Sequence, residues 1–191
     1  MSGDFAAPSP DNARIYLDVD GVFNAVTRRV PDWGWDTHQT KKVHGYPIMW
    51  SPEFVAAINA VAKTPGVGVY WLTTWCHAAP QVLAPALGID GADWPVVGCE
   101  HWRRRSIGLP WWKHLAIVEH LADFDGPVLW IDDDHGVDPA CRAWLAGQPQ
   151  VLAMAPNTSV GVTRAEADII QRFVSDVVYR PVPTADTEAP S

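Results

Sequence analysis

The sequence predicts an α/β fold in which helices cover both faces of a central, mostly parallel sheet, a three-layer Rossmann-like arrangement. Short apolar runs recur along the chain, stretches with helical periodicity separate them, and acidic or hydroxyl residues directly follow several runs. Strands that alternate with helices form parallel sheets, and ligands bind such sheets beyond the carboxyl ends of the strands. The functional residues are therefore expected where the apolar runs end.

Five short apolar runs are the expected strands, because each is bounded by turn residues and is too short for a buried helix. In chain order they are residues 14–17 (RIYL), 67–72 (VGVYWL), 95–97 (PVV), 127–131 (PVLWI) and 151–154 (VLAM). Helices are predicted between them, each starting near a proline or a capping residue. The starts lie after Ser51-Pro52, after Pro110, after Asp138-Pro139 and near Thr163. A weaker helix is expected over residues 77–87, because Pro85 cannot donate a backbone hydrogen bond.

Residues 23–50 interrupt the alternation with glycines, prolines, charges and three tryptophans. An insertion directly after the first strand lies over the carboxyl edge of the sheet, so a small flap or hairpin is expected there, with no large cap domain. The rest of residues 13–180 forms a single domain in this interpretation. Residues 1–12 and the Pro-rich residues 181–191 are expected to be flexible ends.

Composition and charge exclude several classes of protein. The net charge of -8 argues against a broad nucleic-acid-binding surface. No run of 18 apolar residues and no secretory signal is found, so no membrane partner is expected, and no obligate protein partner is evident. The three cysteines are far apart in the sequence and lack CxxC spacing, which favours a reducing, cytoplasmic setting.

Two acidic clusters follow strand-like runs. Asp18 and Asp20 precede Gly21 in LDVDGV, although aspartates before glycine are also common in ordinary turns. Asp132, Asp133 and Asp134 follow PVLWI. Three adjacent carboxylates repel one another unless a cation neutralises their charge or bulk water screens it. Hard oxygen ligands without a His or Cys set favour Mg2+. A solvated acidic loop remains the alternative.

Two further signals carry hydroxyl and ammonium groups. Thr73 and Thr74 end the run VYWLTTW, where a hydroxyl could donate a hydrogen bond to a phosphate oxygen, although paired threonines are common in strands. Lys113 lies near the start of the helix after Pro110, and a lone helical lysine is usually exposed to solvent.

Taken together, these signals resemble the four motifs of the haloacid dehalogenase (HAD) superfamily. The matching residues are Asp18 with Asp20, Thr73, Lys113, and Asp132 with Asp133. The resemblance covers about residues 14–178. The runs WLTTW, LWIDDD and MAPNTSVGVTRAEADII are similar to the small group without a large cap, including the HAD domains of Swiss Army Knife RNA-repair proteins.

The resemblance implies a magnesium-dependent phosphomonoesterase that acts through an aspartyl-phosphate intermediate. Asp18 is the implied nucleophile, and Asp20 is the implied general acid and base. Lys113 and Thr73 are expected to neutralise and bind the phosphoryl oxygens. The metal ligands are expected to be Asp18, the backbone carbonyl of Asp20, and Asp132 or Asp133, with the other aspartate of this pair orienting the metal shell. The superfamily's sheet order makes the first and fourth strands neighbours.

The substrate is less well defined by the sequence. The run Arg103-Arg104-Arg105 after Trp102 is the basic cluster of the chain, and it is either a solvated face or, with Thr74, a clamp for phosphates. The clamp favours a nucleotide or a nucleic-acid end. A small-metabolite phosphatase, a phosphotransferase of the same fold and a non-catalytic metal-binding module are the alternatives. Asp134 is expected to be a turn residue, and His135 a surface or helix-start residue.

Overall fold

The structure of the protein is a computed structural model, and it describes residues 11–104 and 111–178. Most of the two expected flexible ends lies outside the described residues. Asp11 and Asn12, which the sequence assigned to the flexible N-terminal segment, are instead attached to the domain. The backbone N–H of Asn12 donates to the carbonyl of Gly66 at 2.8 Å, and the Tyr70 hydroxyl donates to Asp11.

A four-stranded parallel sheet forms the centre of the molecule. Its strands are β1 (Ala13–Leu17), β4 (Val67–Trp71), β5 (Val128–Ile131) and β6 (Val151–Met154), in the order β4-β1-β5-β6. The predicted adjacency of the first and fourth strands is confirmed, because β1 pairs with β5 from Arg14–Val128 to Leu17–Ile131. The carboxyl ends of these strands therefore open at the same edge.

The expected strand at residues 95–97 is wrong as a full strand. The segment makes a single parallel bridge between Val96 and Trp71, in which the Trp71 N–H donates to Pro95 and the Val97 N–H donates to Trp71. Pro95 has no N–H to extend the ladder, and Gly98 turns the chain at a φ of 81°. The two residues between these two breakers are too few for a longer ladder.

Side chains alternate between the two faces of the sheet, as the period of a strand requires. Ile15 and Leu17 of β1 are buried in one apolar core, whereas Tyr16 is buried in the other. β5 divides its side chains in the same way, because Leu129 belongs to the first core and Trp130 to the second. The chain therefore has the predicted three layers, with the sheet between two helical layers.

The longer helices begin close to the starts predicted from the sequence. They are α1 (Pro52–Ala62), α4 (Trp112–His120), α5 (Pro139–Ala146) and α6 (Arg164–Val178). The Ser51 hydroxyl accepts the N–H groups of Glu53 and Phe54 at 3.1 and 3.2 Å, and Asp138 caps α5. Residues 77–87 contain a π-helical segment, Ala79–Leu83, that continues into α2 (Ala84–Leu87). Pro85 interrupts regular α-helical bonding there. A short helix, α3 (Cys99–Arg104), was not predicted.

The insertion contains an antiparallel hairpin made of β2 (Gln39–Val43) and β3 (Tyr46–Trp50). Its turn is formed by His44 and Gly45, both at positive φ, and it leaves Tyr46 63% exposed at the tip. The base is attached to the domain, because the Ala25 N–H donates to the Met49 carbonyl at 2.9 Å and Trp50 is buried. We refer to this unit, β2 and β3 with their turn, as the insertion hairpin.

Cys76 and Cys99, 23 residues apart in the sequence, are joined as a disulfide with their Cα atoms 5.5 Å apart. Cys141 is a buried free thiol. This pairing corrects the interpretation of the cysteines as widely separated, and it removes the argument from cysteine usage for a reducing compartment. Among the described helices, none combines the length and the apolar composition that crossing a membrane requires.

Candidate active site

Acidic and hydroxyl side chains meet at the carboxyl edge of the sheet. Asp18 directly follows β1, Asp132 directly follows β5, and Thr73 lies two residues after β4. All three side chains are buried, Asp132 and Thr73 completely. Because β1 lies between β4 and β5, residues that are far apart in the sequence become neighbours around Asp18.

Lys113 lies between two of these carboxylates. It is the second residue of α4, and its Nζ donates to Asp18 Oδ2 and to Asp132 Oδ2, each at 2.6 Å. Its side chain is 3% exposed, which corrects the common expectation that a lone helical lysine faces solvent. The rings of Trp111 and Trp112 lie 5.5 and 5.8 Å from the ammonium nitrogen and shield it from water.

The buried charges change the acidity of the groups around them. Burial lowers the pKa of Lys113, but the charges of Asp18 and Asp132 outweigh this effect and raise that pKa above its ordinary value. Burial raises the pKa of Asp132, and the Lys113 ammonium opposes this rise. Lys113 therefore stays protonated and offsets part of the negative charge of the site.

Asp18, Asp132 and Asp133 can each place an oxygen within 4.8 Å of the other two, which makes them a candidate metal site. The sequence left open whether Asp132 or Asp133 binds the ion directly, and both successive carboxylates reach the same region. Gly21 explains how this is possible. A Cβ at that position would lie 2.3 Å from Asp133 Cγ, so the absence of a side chain makes room for the second carboxylate. Burial raises the pKa of Asp133.

This donor set fits the predicted magnesium ion. It consists of carboxylate oxygens at the end of a parallel sheet, and hard divalent cations prefer such oxygens over nitrogen and sulfur. Three carboxylates and one ammonium group leave a net negative charge that a divalent cation can neutralise.

The Asp20 carboxylate is held apart from this cluster by two side chains. Its Oδ1 accepts a hydrogen bond from Asn24 Nδ2 at 2.6 Å, and its Oδ2 accepts one from Trp75 Nε1 at 2.9 Å. Sequence reasoning did not single out either donor. Trp75 does lie in the run WLTTW, two residues after Thr73, but its 55-residue distance from Asp20 conceals the contact.

The remaining predicted residues have diverse environments. Thr73 accepts the Trp75 N–H through Oγ1 at 3.3 Å, whereas Thr74 is exposed. Arg103 is exposed on α3, a helix that packs against α4 through the rings of Trp102 and Trp112. The side chain of Arg104 and all of Arg105 lie outside the described residues.

Asp134 and His135, which follow Asp133, lie in different environments. The Asp134 N–H donates to Asp132 Oδ1 at 3.0 Å, which is a turn contact. His135 is buried rather than at the surface, because its ring packs edge-on against Trp130 with the centroids 5.0 Å apart. An apolar neighbour from β5 therefore overrides the polar character that predicted an exposed histidine.

Aspartates after β1 and β5, a threonine after β4 and a buried lysine on α4 define an α/β fold of the HAD type. The family model for the HAD domain in Swiss Army Knife RNA repair proteins matches residues 14–167, so the chain belongs to this family. No curated protein and no solved structure shows a significant match to the chain.

Proposed function

We propose that the protein is a magnesium-dependent phosphomonoesterase in which Asp18 attacks the phosphorus atom and forms an aspartyl phosphate. The observation that carries this proposal is the position of Lys113, whose ammonium nitrogen lies 2.6 Å from both Asp18 and Asp132. A buried ammonium beside a buried carboxylate is costly for a protein that needs only a metal site. It is useful where an anionic nucleophile must approach an anionic phosphate.

Asp18 has the properties of the nucleophile. It lies at the end of β1, an inner strand of the sheet, and its Oδ1 accepts the Val19 N–H at 2.7 Å, which fixes the plane of the carboxylate. Lys113 bonds the other oxygen, Oδ2. In the proposed reaction an Asp18 oxygen forms a bond to phosphorus while the bond from phosphorus to the leaving alkoxide breaks.

The residues that would hold Mg2+ are Asp18, Asp132 and Asp133, together with the backbone carbonyl of Asp20. When bound, the ion supplies Lewis-acid neutralisation of the phosphoryl oxygens. Lys113 provides the fixed positive charge on the protein side, and Thr73 would donate its hydroxyl proton to one of the phosphoryl oxygens.

Asp20 is the proposed general acid and base. Protonated, it gives its proton to the leaving alkoxide, and ionised, it accepts a proton from the water that hydrolyses the aspartyl phosphate. Its position supports both steps. Asn24 and Trp75 hold the carboxylate half-buried and separate from the three metal-site carboxylates, so it is not required as a side-chain ligand.

The substrate in this proposal is a phosphorylated small molecule or the terminal phosphate of a nucleic acid. Thr74 and Arg103 are exposed and available for such contacts, and Arg104 belongs to the same helix, α3. Since the overall charge is -8, contacts with a polyanion would be confined to local basic groups of this kind.

The test of the proposal is an Asp18→Asn variant assayed with Mg2+ against nucleotides, sugar phosphates and end-phosphorylated oligonucleotides. We expect turnover to fall to the detection limit while circular dichroism and thermal unfolding show a folded protein. Asp125→Asn is the matched control, because Asp125 is exposed and lies before β5, at the opposite edge of the sheet. Turnover by Asp18→Asn at the wild-type rate would overturn the mechanism.

A second measurement addresses the covalent intermediate. Asp20→Asn should slow hydrolysis of the aspartyl phosphate, so acid-quenched reactions with a radiolabelled phosphate ester should leave label on the protein. That label should be released by hydroxylamine, as expected for an acyl phosphate, and it should be absent when Asp18 is also replaced by Asn. Label that persists without Asp18 would assign the nucleophile elsewhere.

A further inference from the structure

Asp20 is linked to the insertion hairpin through both of its donors. The buried Asn24 amide donates to Asp20 and accepts the Met49 N–H of β3 at 2.9 Å. Trp75 donates to Asp20, and its ring packs edge-on against Tyr46 with the centroids 5.7 Å apart. The tip of the hairpin is therefore one aromatic ring away from the proposed general acid.

We propose that Trp75 and Tyr46 form the subsite for the leaving group, and that this subsite accepts a nucleoside. The inference rests on the proposed function, because it takes Asp20 as the group that protonates the leaving oxygen. The leaving oxygen must come within hydrogen-bond distance of Asp20. Trp75 bonds Asp20 and Tyr46 packs against Trp75, so a leaving group that extends along this side of Asp20 would meet both rings.

The exposure of Tyr46 supports a planar ligand. The side chain is 63% exposed, although it lies against another aromatic ring beside a half-buried carboxylate. An exposed tyrosine at the tip of a hairpin adds little to the core, but its ring offers a flat face for stacking. The hairpin base is fixed by Met49 and the buried Trp50, so the tip is presented on a supported element.

The spacing of the two rings favours a nucleoside over a ring attached directly to the ester oxygen. Trp75 contacts Asp20 itself, whereas Tyr46 lies one ring further out. In a nucleoside phosphate the sugar separates the ester oxygen from the base. The sugar would therefore lie along Trp75 and the base against Tyr46, while the directly attached ring of an aryl phosphate would reach Trp75 alone.

The experiment compares a nucleoside 5'-monophosphate with ribose 5-phosphate, which has the same ester linkage and no base. We expect wild-type kcat/KM to be about five- to 150-fold higher for the nucleotide, the range that corresponds to stacking of one base. Tyr46→Ala should bring the ratio of the two kcat/KM values close to one, whereas Tyr46→Phe should preserve it because the ring remains. Leu152→Ala, on β6 and also exposed, is the control for a surface truncation and should leave both values unchanged.

A binding measurement separates this inference from the proposed function. Calorimetry on Asp18→Asn should show the same preference for the nucleotide over ribose 5-phosphate, and Tyr46→Ala in that background should remove it. Hydrolysis of both esters without a preference for the nucleotide would overturn the subsite while the proposed function stands. A nucleotide preference in binding without hydrolysis by the wild type would support nucleoside binding at Tyr46, but it would overturn the phosphatase proposal and with it the assignment of this site to a leaving group. Equal affinity for the two ligands would overturn the subsite in either case.

Discussion

Replacement of Lys113 by methionine should destabilise the protein strongly, because it leaves two buried carboxylates without their shared cation. The side chains of Asp18 and Asp132 are 8% and 0% exposed, and Lys113 bonds each at 2.6 Å. Removing one partner of a buried ion pair costs about 3–5 kcal/mol, and here the removed partner serves two carboxylates. With a urea m-value of about 2 kcal/mol/M, the unfolding midpoint should fall by roughly 1.5–2.5 M.

Lys63→Met is the matched control for this measurement. Lys63 also forms a short ion pair, at 2.9 Å with Asp90, but the two side chains are 72% and 53% exposed. Exposed pairs of this kind contribute only about 0–1 kcal/mol. A urea midpoint for Lys113→Met that equals that of Lys63→Met would refute the argument that burial makes the Lys113 pair costly to break.

The loss should also depend on pH in a defined direction. Burial already raises the pKa of Asp132 above its ordinary 3.8, and Lys113 opposes this rise, so its removal raises the pKa further. A carboxyl whose folded-state pKa exceeds its unfolded value lowers stability at high pH, and this cost disappears as pH falls toward the unfolded value. Asp132 already has a pKa of about 7 in the wild type, so below that pH it is protonated in both folded proteins. The difference in unfolding free energy between wild type and Lys113→Met should therefore be constant below pH 7 and grow as pH rises above it. A difference that stays constant above pH 7 would contradict the assignment to unpaired carboxylates.

Two further predictions concern parts of the fold outside the carboxylate cluster. Reduction of the Cys76–Cys99 bond, which closes a loop with a sequence separation of 23, should lower the unfolding free energy by about 3 kcal/mol and the Tm by roughly 6–12 °C. Thermal scans of wild type and Cys99→Ser with and without reductant test this, and free thiols at both positions in the untreated protein would contradict it. Burial, followed by the charge of Arg14, lowers the pKa of His120 below its ordinary 6.5, so the unfolded state binds the proton more readily and stability should fall as pH drops below 6.5. His120→Asn should weaken this dependence of the unfolding free energy on pH, which urea titrations at several pH values measure. If the variant loses as much stability below pH 6.5 as the wild type does, His120 is not the cause of the loss.

The strands and their functional ends could be predicted because they depend on local patterns. β1, β5 and β6 are short, mostly apolar runs, and the aspartates that directly follow β1 and β5 mark the carboxyl edge of the sheet. The Ser51 and Asp138 caps are equally local, since their partners lie two or three residues away. Such signals can be found in a single sequence.

The missed features depend on distance in the chain or on very short segments. α3 has only six residues, CEHWRR, so no full amphipathic period is visible. The 95–97 run has the composition of a strand, but Pro95 and Gly98 limit it to one bridge. The contact between Trp75 and Asp20 spans 55 residues and requires β1 and β4 to be paired before it can form.

The position of β1 also determines how the mobility of Asp18 differs from that of Tyr46 in the insertion hairpin. β1 pairs with a strand on each side and contributes side chains to both apolar cores. Its backbone amides therefore exchange with solvent only when most of the domain opens. The insertion hairpin is a separate two-stranded sheet whose base is buried in the first core through Val43, Ile48 and Trp50, so only its tip can open at a much smaller free-energy cost. Hydrogen exchange should therefore be slow at Asp18 and fast at Tyr46, so that a leaving group can enter and depart while the nucleophile keeps its position.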